Sequence, residues 1–178
     1  SASRTAPACG SDIAGLVAGA SKGEGLGNQF LSHIRETDAI AHVVRCFEDP
    51  DVIHVHGSPD PARDIAVIDT ELALKDLDTV RARKDRSAKA ARAGEKTAKQ
   101  EVAWAEMLEA HLDTGAPART LPGWRDDEGF AKFITKDLAL LTGKPVMYLC
   151  NVRDDQLPHG DPKLVAAVKA VAEKEGAR

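Results

Sequence analysis

The stretch AIAHVVRCFEDPDVIHVHGSPDPARDIAVI (residues 39–68) carries the signals that decide the fold. Its first part, residues 39–47, is short, apolar and rich in β-branched residues, which is typical of a buried strand. Residues 48–63 contain three prolines and one glycine and predict a loop. Asp60 before Pro61 marks the start of a helix. The order of strand, loop and helix indicates an α/β fold.

A long helical segment follows. Residues 63–93 predict one helix whose apolar stripe consists of Ile65, Ile68 and Leu72, widened by Val67, Leu74 and Leu77. Residues 81–101 then hold eight Lys or Arg and three acidic residues, a net charge of +5. This tract predicts the solvated tip of a helical hairpin with Gly94 at its turn, and contact with RNA phosphates is the alternative. The returning helix places Trp104 and Met107 in the core of the hairpin, as in an antiparallel coiled coil.

The last third of the chain returns to the α/β pattern. KPVMYLCNV (residues 144–152) predicts a second buried strand, and residues 126–142 and 161–176 predict helices on either side of it. Strands that alternate with helices favour a parallel sheet. Only these two strands are convincing from their sequence.

The composition excludes several classes of protein. The net charge of −4 argues against bulk nucleic-acid binding. Three widely spaced cysteines without a CxxC motif indicate reduced thiols, and Cys46 and Cys150 are expected in the core. No apolar run approaches the roughly 18 residues of a membrane span, and no signal peptide opens the chain. We therefore expect a cytoplasmic protein without a membrane partner.

The segment DIAGLVAGASKGEGLGNQF (residues 12–30) contains five glycines ahead of a helix. Asp12 and Gly15 have DxxG spacing. A carboxylate at a strand end can hold Mg²⁺ through water, and a glycine amide can approach a terminal phosphate because no side chain blocks it. The spacing alone also fits an ordinary flexible loop.

Three quoted stretches together resemble one family. Residues 12–80 resemble the second-switch region, next helix and next strand of the YchF (Obg-like ATPase) family of P-loop NTPases. Residues 43–72 are similar to YchF members specifically, and KPVMYLCNVRDD (residues 144–155) resembles the family's base-recognition strand. The resemblance implies a partial P-loop NTPase fold with an inserted coiled-coil arm. It divides the chain into part of the nucleotide-binding domain (1–62), the helical insertion (63–124) and the remainder of that domain (125–178).

The resemblance also implies roles for five residues. Asp12 and Gly15 match the motif that senses Mg²⁺, indirectly through Asp12, and the γ-phosphate. Asn151, Val152 and Asp154 match the NxxE motif that reads the base, with Asp154 where Glu is commoner. The family prefers ATP, and the shorter Asp154 leaves GTP binding open. No residue is assigned a catalytic role.

The sequence contains no GxxxxGK[ST] motif, whose backbone amides and lysine grip nucleotide phosphates. The resemblance also implies a carboxyl-terminal TGS domain, which this sequence does not include. We therefore expect a fragment that lacks the P-loop and the TGS domain and that does not retain Mg²⁺ with ATP. Two hypotheses follow. The chain is part of a ribosome-associated ATPase, inactive as written, or it is a non-catalytic interaction module whose arm binds RNA or the ribosome. Whether it is an enzyme stays open.

Overall fold

Two parallel strands form the sheet of the described structure. The computed structural model describes residues 31, 33–48 and 59–177. Strand β1 (Ile40–Arg45) pairs with β2 (Val146–Asn151) from Ile40 opposite Val146 to Arg45 opposite Asn151. Both strands confirm the prediction from their apolar, β-branched sequences, and their parallel direction confirms the α/β class. The 100 residues between the strands form the crossover connection.

The two faces of this small sheet differ in their surroundings. On one face Val44, Val146 and Tyr148 pack with Ile65 and Val168, which belong to the helices that cover it. Cys46 is fully buried in this cluster and Cys150 is half-buried, so the prediction of core thiols holds more strictly for Cys46. The opposite face presents three exposed apolar side chains, which are Val43, Met147 and Leu149.

Helix α1 (Pro61–Arg92) is 32 residues long, which corresponds to about 48 Å. It begins where the sequence predicts, because the Asp60 carboxylate accepts a hydrogen bond from the Arg63 amide at 3.1 Å and Pro61 occupies the first turn. Ile65, Leu72 and Leu77 are buried as predicted. Val67 and Leu74 are exposed instead, because they lie on the side of the helix that no described element covers.

Helix α2 (Lys96–Leu112) returns antiparallel to α1 and completes a helical hairpin, called the arm here (residues 61–112). Gly94 has φ +95°, a conformation that suits glycine, and reverses the chain as predicted. The core between the helices consists of Ala73, Leu77, Val80, Ala105, Leu108 and Leu112. The Trp104 ring stacks on Phe130 with centroids 5.6 Å apart. Met107 is 50% exposed, so its assignment to the arm core is wrong.

After the arm, the chain packs a short helical segment against the arm's core. Helix α3 (Glu128–Lys132) continues into a π-helical turn (Phe133–Asp137) that buries Phe133 and Ile134. The predicted helix over residues 126–142 therefore ends five residues early. It ends because the Asp76 carboxylate on α1 accepts the backbone N–H groups of Leu141 and Thr142, which draws residues 138–142 out of the helical path.

Helix α4 (Pro162–Glu175) follows β2 and is the last helix of the described structure. The Asp161 side chain caps it by accepting from the Lys163 and Leu164 amides, and Gly176 ends it with φ +64°. These boundaries agree with the prediction for residues 161–176. Among the described residues, no helix combines the length and apolar character needed to cross a membrane.

Candidate functional site

Asn151 is the last residue of β2 and lies at the carboxyl end of the sheet. Its carbonyl accepts a hydrogen bond from the Cys46 amide at 2.8 Å, which fixes the backbone at the end of both strands. Its side chain is exposed and makes no hydrogen bond to another described residue. Ligands of open parallel sheets bind at this edge, so the Asn151 amide is available to one.

Val152 turns the chain away from the sheet. Its side chain is half-buried and packs against the cluster under the sheet. Gly160 lies against it so closely that a Cβ on Gly160 would come within 2.6 Å of Val152 Cγ1. Because the Val152 side chain points into this cluster, its backbone is the part that can face a ligand.

The loop after Val152 distinguishes two neighbouring aspartates. Arg153 binds the Asp155 carboxylate through Nε and Nη2, both at 3.0 Å, and the Arg153 amide donates to the Gln156 side chain. Asp154 is exposed, and its carboxylate has no hydrogen-bonding partner in the part of the chain that the structure describes. Among the described residues, Asp154 is therefore the aspartate of this loop whose carboxylate has no partner, and its role in the NxxE motif stays a prediction.

The structure brings three of the five predicted site residues together. Asn151, Val152 and Asp154 form one short loop at the end of β2. Asp12 and Gly15 lie outside the described residues, so a shared cleft between them and Asn151 stays a prediction. Within residues 31, 33–48 and 59–177, no group of three or more His, Cys, Asp or Glu side chains could hold a metal ion.

The basic tract of the arm consists of two different parts. Near the body, Arg81 and Lys84 both bind the Glu109 carboxylate, and Arg83 binds Glu101 at 2.7 Å. Hydrogen bonds from Lys84 and Arg81 lower the pKa of Glu109, and that from Arg83 lowers the pKa of Glu101. These residues therefore link α1 to α2, a role that the predicted solvated tip did not include, although Arg81 is itself exposed.

The outer part of the tract is different. Lys89, Arg92, Lys96 and Lys99 lie around the Gly94 turn with exposed side chains. None of the four has a side-chain hydrogen bond or ion pair to another described residue. We call these four residues the tip cations. A cavity of about 280 Å³ opens beside them between the two helices, and Arg83, Arg86, Ser87, Glu95 and Glu101 contribute to its lining.

Sequence reasoning missed two buried carboxylates on α1. Asp76 is fully buried and accepts from the Leu141 amide, the Thr142 amide and the Thr142 hydroxyl at 2.7–2.8 Å. Asp69 is also buried and binds Arg119, which follows the arm. The helical spacing could have predicted their burial, because Asp69 and Asp76 are seven residues apart and share the buried face of α1 with Leu72.

Comparisons with known proteins identify similar sequences. No family model matches the chain. It is 49% identical over 165 residues to "Ribosome-binding ATPase YchF" of Escherichia coli O157:H7, and 44% identical over 168 residues to the Bacillus subtilis protein of the same name. It is 41% identical over 166 residues to "Obg-like ATPase 1" of Oryza sativa subsp. indica. Each match covers 93% of this chain, but only 44%, 44% and 41% of these three relatives.

A solved structure extends the agreement to three dimensions. The chain superimposes on the Schizosaccharomyces pombe YchF GTPase with a TM-score of 0.70 and 40% identity, over 91% of this chain and 44% of that one. The parallel strands, their helices and this likeness define a P-loop NTPase fold. Within that class the chain is homologous to the YchF proteins and Obg-like ATPases over 91–93% of its own length. It spans less than half the length of these relatives.

Proposed function

We propose that this chain is the base-reading and arm-bearing part of a ribosome-associated YchF-type ATPase. The observation that carries the proposal is the loop at the end of β2, where the Asn151 amide, the Val152 backbone and the Asp154 carboxylate have no hydrogen-bonding partner among the described residues. Amide and carboxylate groups held at the carboxyl edge of a parallel sheet suit the hydrogen-bonding edge of a nucleotide base. The names of the relatives support ATP and the ribosome as partners and a cytoplasmic location.

In the proposed site each residue has a separate task. The Asn151 side chain offers a donor and an acceptor to the base, and Asp154 offers an acceptor alone. An acceptor alone favours guanine, whose N1 and N2 carry hydrogens, whereas the Val152 backbone can pair with adenine. Both nucleotides therefore belong to the proposal, and the preference for ATP rests on the relatives named as ATPases. Asp12 and Gly15 would contact Mg²⁺ and the γ-phosphate. Mg²⁺ supplies charge neutralisation of the phosphates when it is bound with ATP.

The base site is tested by nuclear magnetic resonance with ATP as the probe. Because the chain has no phosphate-gripping motif, we expect no affinity in the micromolar range by calorimetry and no phosphate release above the blank. At millimolar ATP we expect the amide signals of residues 151–154 to shift, and Asn151→Ala to abolish these shifts. His159→Ala, an exposed substitution in the same loop, is the control and retains them. Equal shifts in wild type and Asn151→Ala would contradict the proposed base site.

A second candidate function is a non-catalytic interaction module. It is favoured by the tip cations, because unpaired Lys and Arg side chains can replace the counterions of RNA phosphates. The ion-paired residues Arg81, Arg83 and Lys84 are already engaged within the arm and are expected to stabilise it. The two functions are compatible, since the arm and the loop at the end of β2 (residues 151–154, the base loop) lie on different parts of the chain.

Charge reversal at the tip tests the RNA contact. We expect Lys89→Glu, Lys96→Glu and Lys99→Glu together to weaken binding to ribosomal RNA about 100-fold at low salt and to reduce the salt dependence by about two counterions. The control reverses three exposed lysines of the body, Lys132, Lys136 and Lys169, and changes the net charge equally. Loss of binding in both triple variants would indicate a general charge effect and would remove the tip as the specific contact.

A further inference from the structure

Arg119 lies in a buried cluster that the proposed function does not use. Its Nη2 atom is 2.8 Å from both Asp69 carboxylate oxygens and 2.7 Å from Glu175 Oε2, and its Nε atom is 2.9 Å from the same Glu175 oxygen. The Tyr148 hydroxyl donates to Glu175 Oε2 at 2.8 Å. The side chains of Arg119, Asp69 and Glu175 are 3%, 8% and 9% exposed. We call these four residues the Arg119 clasp.

The clasp connects the arm to the helix that follows the base loop. Asp69 belongs to α1, and Arg119 belongs to the turn (Ala118–Thr120) through which the chain leaves the arm. Tyr148 is in β2 and Glu175 is the last residue of α4. We call Asp69 on α1 and the turn that contains Arg119 the arm root. Any change in the strength of these bonds therefore changes how firmly α4 is held to the arm root.

The charges within the clasp do not balance. Two carboxylates share one guanidinium, and the burial that separates them from water raises the cost of the excess negative charge. The Asp69 and Glu175 carboxylates both contact the same Arg119 Nη2 atom, at 2.8 Å and 2.7 Å, so the two like charges are close together. Two carboxyl groups in that arrangement lower their energy by sharing one proton.

Within the part of the chain that the structure describes, the groups around the clasp do not supply a second cation. From β1, His42 lies against the Tyr148 ring with centroids 5.6 Å apart. Burial, followed by the charge of Arg119, lowers the pKa of His42, so the imidazole is neutral at pH 7. Asp64 on α1 adds negative charge near His42. Burial likewise raises the pKa of Tyr148, which keeps its hydroxyl protonated.

We propose that the Arg119 clasp is a proton-linked lock that takes up one proton between Asp69 and Glu175 on mild acidification and then holds α4 to the arm root more firmly.

The expected pH range follows from the Asp69 carboxyl group. Burial raises its pKa from 3.8 to about 6, although Arg119 acts in the opposite direction. A carboxyl group with a raised pKa in the folded state stabilises the fold fully below the unfolded value of 3.8, and this contribution is lost as the pH rises through about 6. His42 acts in the opposite sense, because its lowered pKa favours the fold above its unfolded value of 6.5.

A comparison of variants separates the pH effect of Asp69 from that of His42. The folding equilibrium constants of wild type and Asp69→Asn are measured by urea unfolding from pH 5 to pH 7.5. Because His42 is present in both proteins, its effect cancels in their ratio. We expect the ratio of wild type to variant to rise about tenfold from pH 7.5 to pH 5. With Asp78→Asn, the same substitution at an exposed position of α1, we expect the ratio to stay constant.

Two outcomes overturn the proposal. A constant ratio for Asp69→Asn, or one that falls on acidification, would mean that the clasp is an ordinary ion pair that stays ionised. If Asp69→Asn does not fold, carbon-13 resonances of the carboxyl groups in the wild-type chain provide the second measurement. We expect one aspartate carboxyl resonance, displaced in Glu175→Gln, to titrate between pH 5 and 7. Titration of every carboxyl group below pH 5 would also overturn the lock.

Discussion

Replacing Asp76 by alanine is expected to lower the free energy of unfolding by about 3–5 kcal/mol. The carboxylate is fully buried and accepts three hydrogen bonds, two from backbone N–H groups at Leu141 and Thr142 and one from the Thr142 hydroxyl. Alanine would leave these donors buried without an acceptor, and each unsatisfied donor costs about 1–3 kcal/mol. Urea unfolding followed by circular dichroism measures the loss.

The control for this substitution is Asp78→Ala, two residues along the same helix at an exposed position. It changes the charge and the helix propensity equally, and we expect its effect to stay within about 0.5 kcal/mol. The burial of Asp76 raises its pKa, while the bonds from Thr142 and Leu141 lower it. Equal losses in the two variants would show that the buried hydrogen bonds of Asp76 contribute nothing beyond those of a surface charge.

Leu108→Ala is expected to destabilise the protein by about 3 kcal/mol. Leu108 is 0% exposed and belongs to the cluster in which α2 packs against Leu77 and Val80 of α1. Truncation removes buried apolar contacts and leaves a cavity. The Arg81 and Arg83 ion pairs fix the distance between the two helices, so the helices do not move together to fill the cavity. Thermal unfolding and urea unfolding both report the change.

Met107→Ala is the matched control, since Met107 is the preceding residue of the same helix and is 50% exposed. We expect it to cost less than about 1 kcal/mol. Amide hydrogen exchange adds a local readout, because Leu108→Ala should speed exchange throughout the arm and Met107→Ala should not. A larger effect at Met107 would mean that the helix faces are assigned incorrectly.

The strands and the long helices could be predicted from local sequence alone. The β-branched runs at residues 39–47 and 144–152 differ clearly from the helical spacing on either side, and both became strands. Asp60 with Pro61 and Asp161 with Pro162 mark helix starts through a bond between a side chain and a nearby amide. Such signals act over three or four residues, so they are complete within the sequence itself.

Predictions about exposure were less successful. Met107, Val67 and Leu74 fit an apolar stripe by spacing but are exposed, because the position of the neighbouring helix decides which part of a wide stripe is covered. Arg81, Arg83 and Lys84 were predicted to be solvated charges, yet their partners on α2, Glu101 and Glu109, are 18 to 28 residues away. Local charge gives no information on a partner at that distance.

The base loop illustrates both cases. The order Asn151, Val152, Asp154 and its position after a strand were fixed by the sequence and by its resemblance to a family. Which of Asp154 and Asp155 has a free carboxylate depended on the loop conformation, in which Arg153 binds Asp155. Asp12 and Gly15 remain predictions from the sequence.

By itself, the sequence determined the class of fold, the hairpin and the loop at the end of β2, because those features depend on periodicity, capping and short-range order. Only the tertiary structure decided that Asp69, Arg119 and Glu175 meet. Asp69 is 50 positions before Arg119, and Glu175 is 56 positions after it. Their bonds form only where α1, α4 and the turn that contains Arg119 exclude water around them. Burial gives a charge its partner and its pKa, and burial is a property of the packed chain.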